Sequence, residues 1–368
     1  MTSKERIHAL LSGEIPDRIG KADAPWPETR ARWHNEGLPE DEHPNDLFGM
    51  DIRMMLKLDH TFRLPETVEE EGDDYQIVRT SEGVLTKCWK STGAPQMIEY
   101  ALRTPDDWKK LRGRLVPSTD RIGYGYYGNY TFEYVLAPFE KVKETYADCP
   151  NRETTFVCME VLDPYEAIMS KMGDEELLVN LALEPDWCAD MFDAHVTLVE
   201  GMTERVFAEG FRPDGVFIGG DIAYRNGLLF SPAIYRDLLL PRLVRMIRCF
   251  KDHDLKVIYH TDGDCREAIP MLIEAGIDCL QPLEVKAGLD VRQLAEAYGD
   301  RIAFTGNLDV RALSGDETAV RAEVETKVRA MTAGRFRYIA HSDHSIPDTV
   351  PFSNYQLAMD IIDELGWY

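Results

Sequence analysis

The sequence is poor in the signals that most often announce a function. Its seven cysteines, Cys88, Cys149, Cys158, Cys188, Cys249, Cys265 and Cys279, form no CxxC pair and no framework spacing. That excludes a thiolate zinc ribbon, a dithiol redox motif and a disulfide scaffold, and reads as reduced thiols in a cytoplasmic protein. There is no P-loop, and no Gly-x-Ser-x-Gly elbow to support a serine triad. No low-complexity segment or short repeat appears. No apolar run reaches membrane-spanning length, and Met1-Thr2-Ser3-Lys4-Glu5-Arg6 does not have a signal-peptide pattern. Positive charge is scarce: 41 Lys and Arg against 65 Asp and Glu give a net charge of −24. Such a field disfavours nucleic acid, anionic membranes and polyanionic substrates. A neutral or cationic small molecule, or a protein partner, fits better.

What is present is a rhythm. The stretch Val257-Ile258-Tyr259-His260-Thr261-Asp262-Gly263-Asp264-Cys265 reads as a buried strand. It ends in a His and Asp cluster, turns on Gly263 and opens a helix with Asp264 as N-cap. Similar units surround it. Strands are expected at 154–159, 215–221, 277–281, 302–305 and 337–340. Helices are expected at 164–172, 184–209, 231–253 with a kink at Pro241, then up to Ala275, and at 291–299, 316–332 and from Ser353 to Leu365. Strands alternating with helices imply a parallel sheet. Glu160, Asp221, His260, Glu284, Asn307 and His344 all fall at strand ends, which favours a closed (β/α)8 TIM barrel with its site at the C-terminal mouth. Upstream, Ile7, Leu10 and Leu11 mark one face of a first helix, and 75–78 with 83–86 alternate as a hairpin would. Residues 1–60 are therefore expected to be an N-terminal extension packing on a barrel formed by 61–368.

The strand-end residues suggest chemistry. Zinc takes imidazole and carboxylate ligands and leaves an open position in catalytic sites. His260, Glu284 and His344 form an expected metal set, with Asp262 as a fourth ligand or as a group orienting His260. Asp221 and Asp262 join His260 as candidate catalytic groups. Asp221 follows two glycines, and Tyr224, Arg225 and Asn307 are candidate substrate contacts. His341 alternates out of this set, and Cys265 and Cys279 read as core. A metal-free alternative uses Asp262, Glu284 and His260 for acid and base work, with Asn307 or Arg225 holding an oxyanion.

In order, these residues form a familiar series. Arg6-Ile7-x-Ala9-Leu10 with Pro16-Asp17-Arg18, Gly220-Asp221 with Ser231-Pro232-x-x-Tyr235 and Pro241, His260-x-Asp262-Gly263, Gly306-Asn307-x-Asp309, and Ile346-Pro347 with Pro351 and Asn354 resemble the uroporphyrinogen decarboxylase superfamily. The resemblance implies a (β/α)8 barrel. The Arg-rich porphyrin grip of true decarboxylases does not match Trp26–Trp33 well. The pattern is closer to zinc- and corrinoid-dependent methyltransferases, with Asp262 and His344 standing where that class carries cysteines. Replacing two thiolates gives a harder ion suited to an oxygen leaving group. The resemblance thus implies an O-demethylase-type transfer. A small methyl donor would be the substrate, zinc (Zn2+) the Lewis acid, and the cobalt of a corrinoid (cobalamin) on a partner protein the methyl acceptor. A homodimer is an assembly consistent with it. The alternative is a metal-free decarboxylase or lyase acting on a small carboxylated substrate.

Overall fold

The computed structural model describes residues 1–40, 42–90, 95–124, 138–149 and 151–368. Eight parallel strands form the frame: β1 (Gly20–Lys21), β2 (Ile52–Leu58), β3 (Phe156–Leu162), β4 (Gly215–Gly219), β5 (Lys256–Thr261), β6 (Cys279–Pro282), β7 (Ala303–Leu308) and β8 (Tyr338–Ser342). Each pairs with the next from β2 through β8, and β8 pairs in parallel with β1 through Gly20 with Ile339 and Lys21 with Ala340. The ring closes where the Asp51 N–H donates to the Lys21 carbonyl at 2.7 Å. A ninth strand, Ile122–Gly123, runs antiparallel to β2. It begins a Gly-x-Gly-x-x-Gly run at 123–128, most of which lies outside the described residues.

Side chains alternate across each strand, and the alternation builds two environments. Outward residues such as Val157, Met159, Val216, Val257 and Phe304 join the large apolar shell shared with the helices. Inward residues Ile52, Phe156, Cys158, Ile258, Cys279, Ala303 and Ile339 form a separate apolar layer, sealed from below by Ile7, Leu10 and Leu11 of the first helix, Ser3–Leu11. Two residues further along the same strands the interior turns polar. Glu160, His260, Gln281, Thr305 and His341 follow there, and Lys57 of β2 donates to Glu160 at 2.7 Å. The barrel thus carries a dry base and a wet mouth.

Several expectations change on contact with this frame. β1 and β2 precede residue 60, so the first 60 residues do more than pack on the barrel: they supply two of its strands. The Arg6 and Asp17-Arg18 signature serves this region. Buried Asp51 accepts from Arg6 at 2.8 Å, Arg18 at 2.9 Å and the Lys21 N–H at 2.8 Å, tying the first helix to β1 and β2. The 75–86 hairpin is present within a four-stranded antiparallel sheet over 67–99, inserted between β2 and β3. Just before Pro241, where a kink is expected, the helix has a π-helical turn, Tyr235–Leu239, in which the Leu240 N–H reaches the Tyr235 carbonyl. Asp264 caps no helix; its carboxylate holds Arg266, and the next helix starts at Ile269. Ser353 lies inside the first turn of Phe352–Leu365, where Glu36 takes the Phe352 N–H at 2.7 Å. No described helix is long and apolar enough to cross a membrane.

Candidate functional site

β5 carries His260 inward at its C-terminal end and delivers Asp262 to the rim. Asp221 sits just past the end of neighbouring β4. Its Oδ1 lies 3.4 Å from His260 Nε2 and accepts the Asp262 N–H at 3.1 Å. One ligand atom from each of Asp221, His260 and Asp262 falls within 4.8 Å of the other two. Two glycines permit this convergence. A Cβ on Gly220 would lie 2.5 Å from the Tyr259 hydroxyl and 2.6 Å from Asp163, which are hydrogen bonded to each other at 2.7 Å. Gly263 has φ +79°, and a Cβ there would lie 2.7 Å from the Tyr224 carbonyl oxygen. The short hairpin of Ala223–Tyr224 and Gly227–Leu228 can therefore close over the Asp262 turn.

The electrostatics are those of an anionic cup. Burial works against the charged form of His260, but the Asp221 carboxylate, with Asp262 behind it, outweighs burial and raises the imidazole to about 9. Burial pushes the Asp221 carboxyl up, while His260 pulls it down further, leaving it below the ordinary range. Asp262 is raised, chiefly by burial. Beneath these groups burial, with the charges of Asp221 and Asp163, lifts Glu166 to about 8. Burial lifts Asp163 to about 6. Asp262 Oδ1 and Glu166 Oε2 are buried with no hydrogen-bond partner. A buried oxygen without a donor is costly, and a cation bound in the cup would satisfy it.

The remaining expected residues divide. His344 Nε2 approaches Asp262 Oδ2 at 3.5 Å from the loop after β8, with its ring 6.2 Å from that of Trp26. Glu284 is committed elsewhere: Oε2 accepts the Gly263 N–H at 3.1 Å and Oε1 pairs with Lys286 at 2.6 Å. Among the described residues the donor atoms that converge are those of Asp221, His260 and Asp262, not those of the expected set His260, Glu284 and His344, and Glu284 braces the turn that holds Asp262. Tyr224 is half exposed at the rim, and Arg225 is exposed beside it. Asn307, expected to contact substrate, is fully buried with φ +78°. Its side chain accepts the Val291 N–H at 3.0 Å and donates to the Leu283 and Leu289 carbonyls at 2.6 and 3.1 Å. It clamps loops from a fully buried position, with both of its N–H groups spent on main-chain carbonyls. Gln281, Asp163 and Glu166 were not singled out from the sequence. Gln281 could have been found from its parity with Cys279, which places it in the inward row beside His260.

The donor set fits a zinc-like ion: one imidazole nitrogen and two carboxylates, with a buried unpartnered oxygen among them, on rigid strand ends at an open mouth. No thiol takes part. Cys265 and Cys279 are buried, and burial pushes both thiols up to about 12.

Comparison with known proteins places this architecture. Residues 219–365 match the family model described as uroporphyrinogen decarboxylase (URO-D). The structure of a methyltransferase from Methanosarcina mazei is similar over 99% of this chain and 99% of its own, at 15% identity and a TM-score of 0.62. That likeness is one of fold. A Listeria monocytogenes protein given as a candidate vitamin-B12-independent methionine synthase aligns over 61% of this chain and 64% of its own, at 12% identity and a TM-score of 0.36, too low to carry an argument. No curated protein matches the chain. The family's pattern thus lies over the part of the chain that carries Asp221, His260, Asp262 and His344, on a barrel whose fold is similar from end to end to that of a solved methyltransferase.

Proposed function

We propose that this protein is a zinc-dependent methyltransferase of the O-demethylase type, moving a methyl group from a small methoxylated substrate to the cobalt of a corrinoid carried by a separate protein. One observation carries the reading: donor atoms of Asp221, His260 and Asp262 converge within 4.8 Å at the barrel mouth. The fold of the Methanosarcina mazei methyltransferase supports the class. Asp221, His260 and Asp262 hold the ion, and His344 braces Asp262 from the far side. Zinc, when bound, supplies Lewis acidity at the ether oxygen. The methyl–oxygen bond breaks with its electron pair staying on oxygen, and the methyl passes to the reduced corrinoid as second substrate. The chain therefore needs no nucleophile of its own. Tyr224 and Arg225, at the rim, contact the donor as it enters. The net charge of −24 favours a neutral or cationic donor.

A second reading keeps one specific observation. Without metal, the imidazole raised to about 9 is an imidazolium at neutral pH and can face a carboxylate. A metal-free decarboxylase of small acids would use it so. Elemental analysis of the purified protein decides: about one zinc per chain, lost in His260→Ala and Asp262→Ala, supports the methyltransferase. Metal-free protein that releases carbon dioxide from a carboxylated substrate refutes it.

A further inference from the structure

A metal-binding imidazole is useful only if the correct nitrogen faces the ion, and that choice is made by whatever bonds to the other nitrogen. Here the partner is Gln281. Its Oε1 lies 2.5 Å from His260 Nδ1, on the side of the ring away from Asp221. The register explains the contact, because His260 and Gln281 are paired positions on β5 and β6 and both point inward.

An amide alone does not decide a tautomer, because it can present either oxygen or nitrogen. The next residue in the row removes that freedom. Gln281 Nε2 lies 3.3 Å from His341 Nε2, while His341 Nδ1 lies 2.6 Å from the Ser342 carbonyl. A carbonyl only accepts, so His341 Nδ1 carries a proton. Its Nε2 then offers a lone pair, which takes an N–H from Gln281. The amide oxygen is left for His260, whose Nδ1–H must donate to it. His341 is held in turn by its surroundings: Asp23 Oδ1 lies 3.6 Å from His341 Nδ1 and accepts from Ser342 Oγ at 2.6 Å. Polarity thus runs in one direction, from a main-chain carbonyl on β8 across β6 to β5. Three side chains from three strands, two of them almost fully buried, serve it.

We propose that Gln281 and His341 are positioning residues that lock His260 with its proton on Nδ1, so that Nε2 is the nitrogen presented to the cation between Asp221 and Asp262. The inference deepens the metal reading above and rests on it for its consequence. The tautomer itself stands on the hydrogen-bond row alone.

The test compares the wild type with Gln281→Met, which keeps length and loses both bonds, Gln281→Glu, whose two oxygens both accept, and His341→Leu. Zinc affinity is read by chelator competition, and the His260 tautomer by 15N NMR of histidine-labelled, zinc-free protein at pH 10. Gln281→Met should weaken zinc binding by about 10- to 100-fold, the range for a lost partner of a metal ligand. His341→Leu should weaken it as well, because the amide is then free to turn its N–H to His260. Combining His341→Leu with Gln281→Glu should restore affinity, because a carboxylate has no wrong side. A purely structural role for His341 would not be rescued this way. Should Gln281→Met fail to fold, the His341→Leu pair decides. Unchanged zinc affinity in the Met and Leu variants, or a wild-type ring protonated on Nε2, overturns the proposal. Wild-type protein that binds no zinc yet shows the proton on Nδ1 overturns the metal reading and leaves the positioning intact.

Discussion

The His260 proton makes the metal-free protein sensitive to alkali, and the effect can be sized. The ordinary imidazole value is 6.5, and the folded value is raised to about 9. Below pH 6.5 the folded and unfolded rings are both protonated, and pairing with Asp221 counts in full. Between 6.5 and about 9 only the folded chain keeps the proton, and the contribution shrinks as pH rises. Above that it is gone. The lowered Asp221 value describes the same interaction and is not added to it. The difference corresponds to roughly 3 kcal/mol at about 1.4 kcal/mol per pH unit. With an unfolding entropy of about 2 cal/mol/K per residue over 368 residues, that is a midpoint shift of about 4 °C. The perturbation is His260→Gln, measured by scanning fluorimetry after EDTA treatment. The loss relative to wild type should be about 4 °C greater at pH 6.5 than at pH 9.5. Taking the difference removes whatever the substitution costs at all pH values. An equal loss at both pH values would refute the anionic cup, and with it the reason for a cation to bind there. Zinc must displace this proton, so its apparent affinity should climb about tenfold per pH unit from 7 towards 9.

Other outcomes follow from the same contacts. Asp221→Asn and Asp262→Asn should each lower bound zinc, measured by elemental analysis, whereas Glu284→Gln should retain it, because Gln still accepts the Gly263 N–H. Asn307→Ala strands one N–H and two carbonyls in the interior and should cost about 3 kcal/mol or more, read as a fall in thermal midpoint at every pH. Gly263→Ala places a methyl against the Tyr224 carbonyl in a backbone conformation that favours glycine. It should weaken zinc binding by displacing the hairpin, with a smaller loss in midpoint than Asn307→Ala.

Much of the barrel was legible because its later strands are bounded, apolar and separated by well-marked helices. β1 was not, because two residues cannot display a period of two, and its membership depends on β8, more than 300 residues away. The convergence of His260, Asp262 and Asp221 was legible because residue type and place coincide: all three are ionisable groups at strand ends. The site was illegible where a partner from another loop decides. Lys286 stands two residues from Glu284, but nothing in that neighbourhood reveals that the Gly263 amide, from the preceding strand's turn, takes its other oxygen. Nothing near Asn307 shows that three main-chain groups consume its amide. Gln281 escaped notice because an uncharged amide inside an apolar run carries no chemical emphasis. Its meaning comes from the inward row it shares with His260 and His341.

The union of β1 with β8 has a consequence for biosynthesis. One stave must wait for another made more than 300 residues later, so the cylinder stays open on the ribosome until β8 has emerged. Throughout that interval the ionisable lining is wet and the greasy floor lacks a wall. A nascent chain of this design needs shelter for its unclosed seam, and a stall or truncation shortly before β8 would release a molecule that holds His260 and Asp262 but has no means of shutting the ring around them.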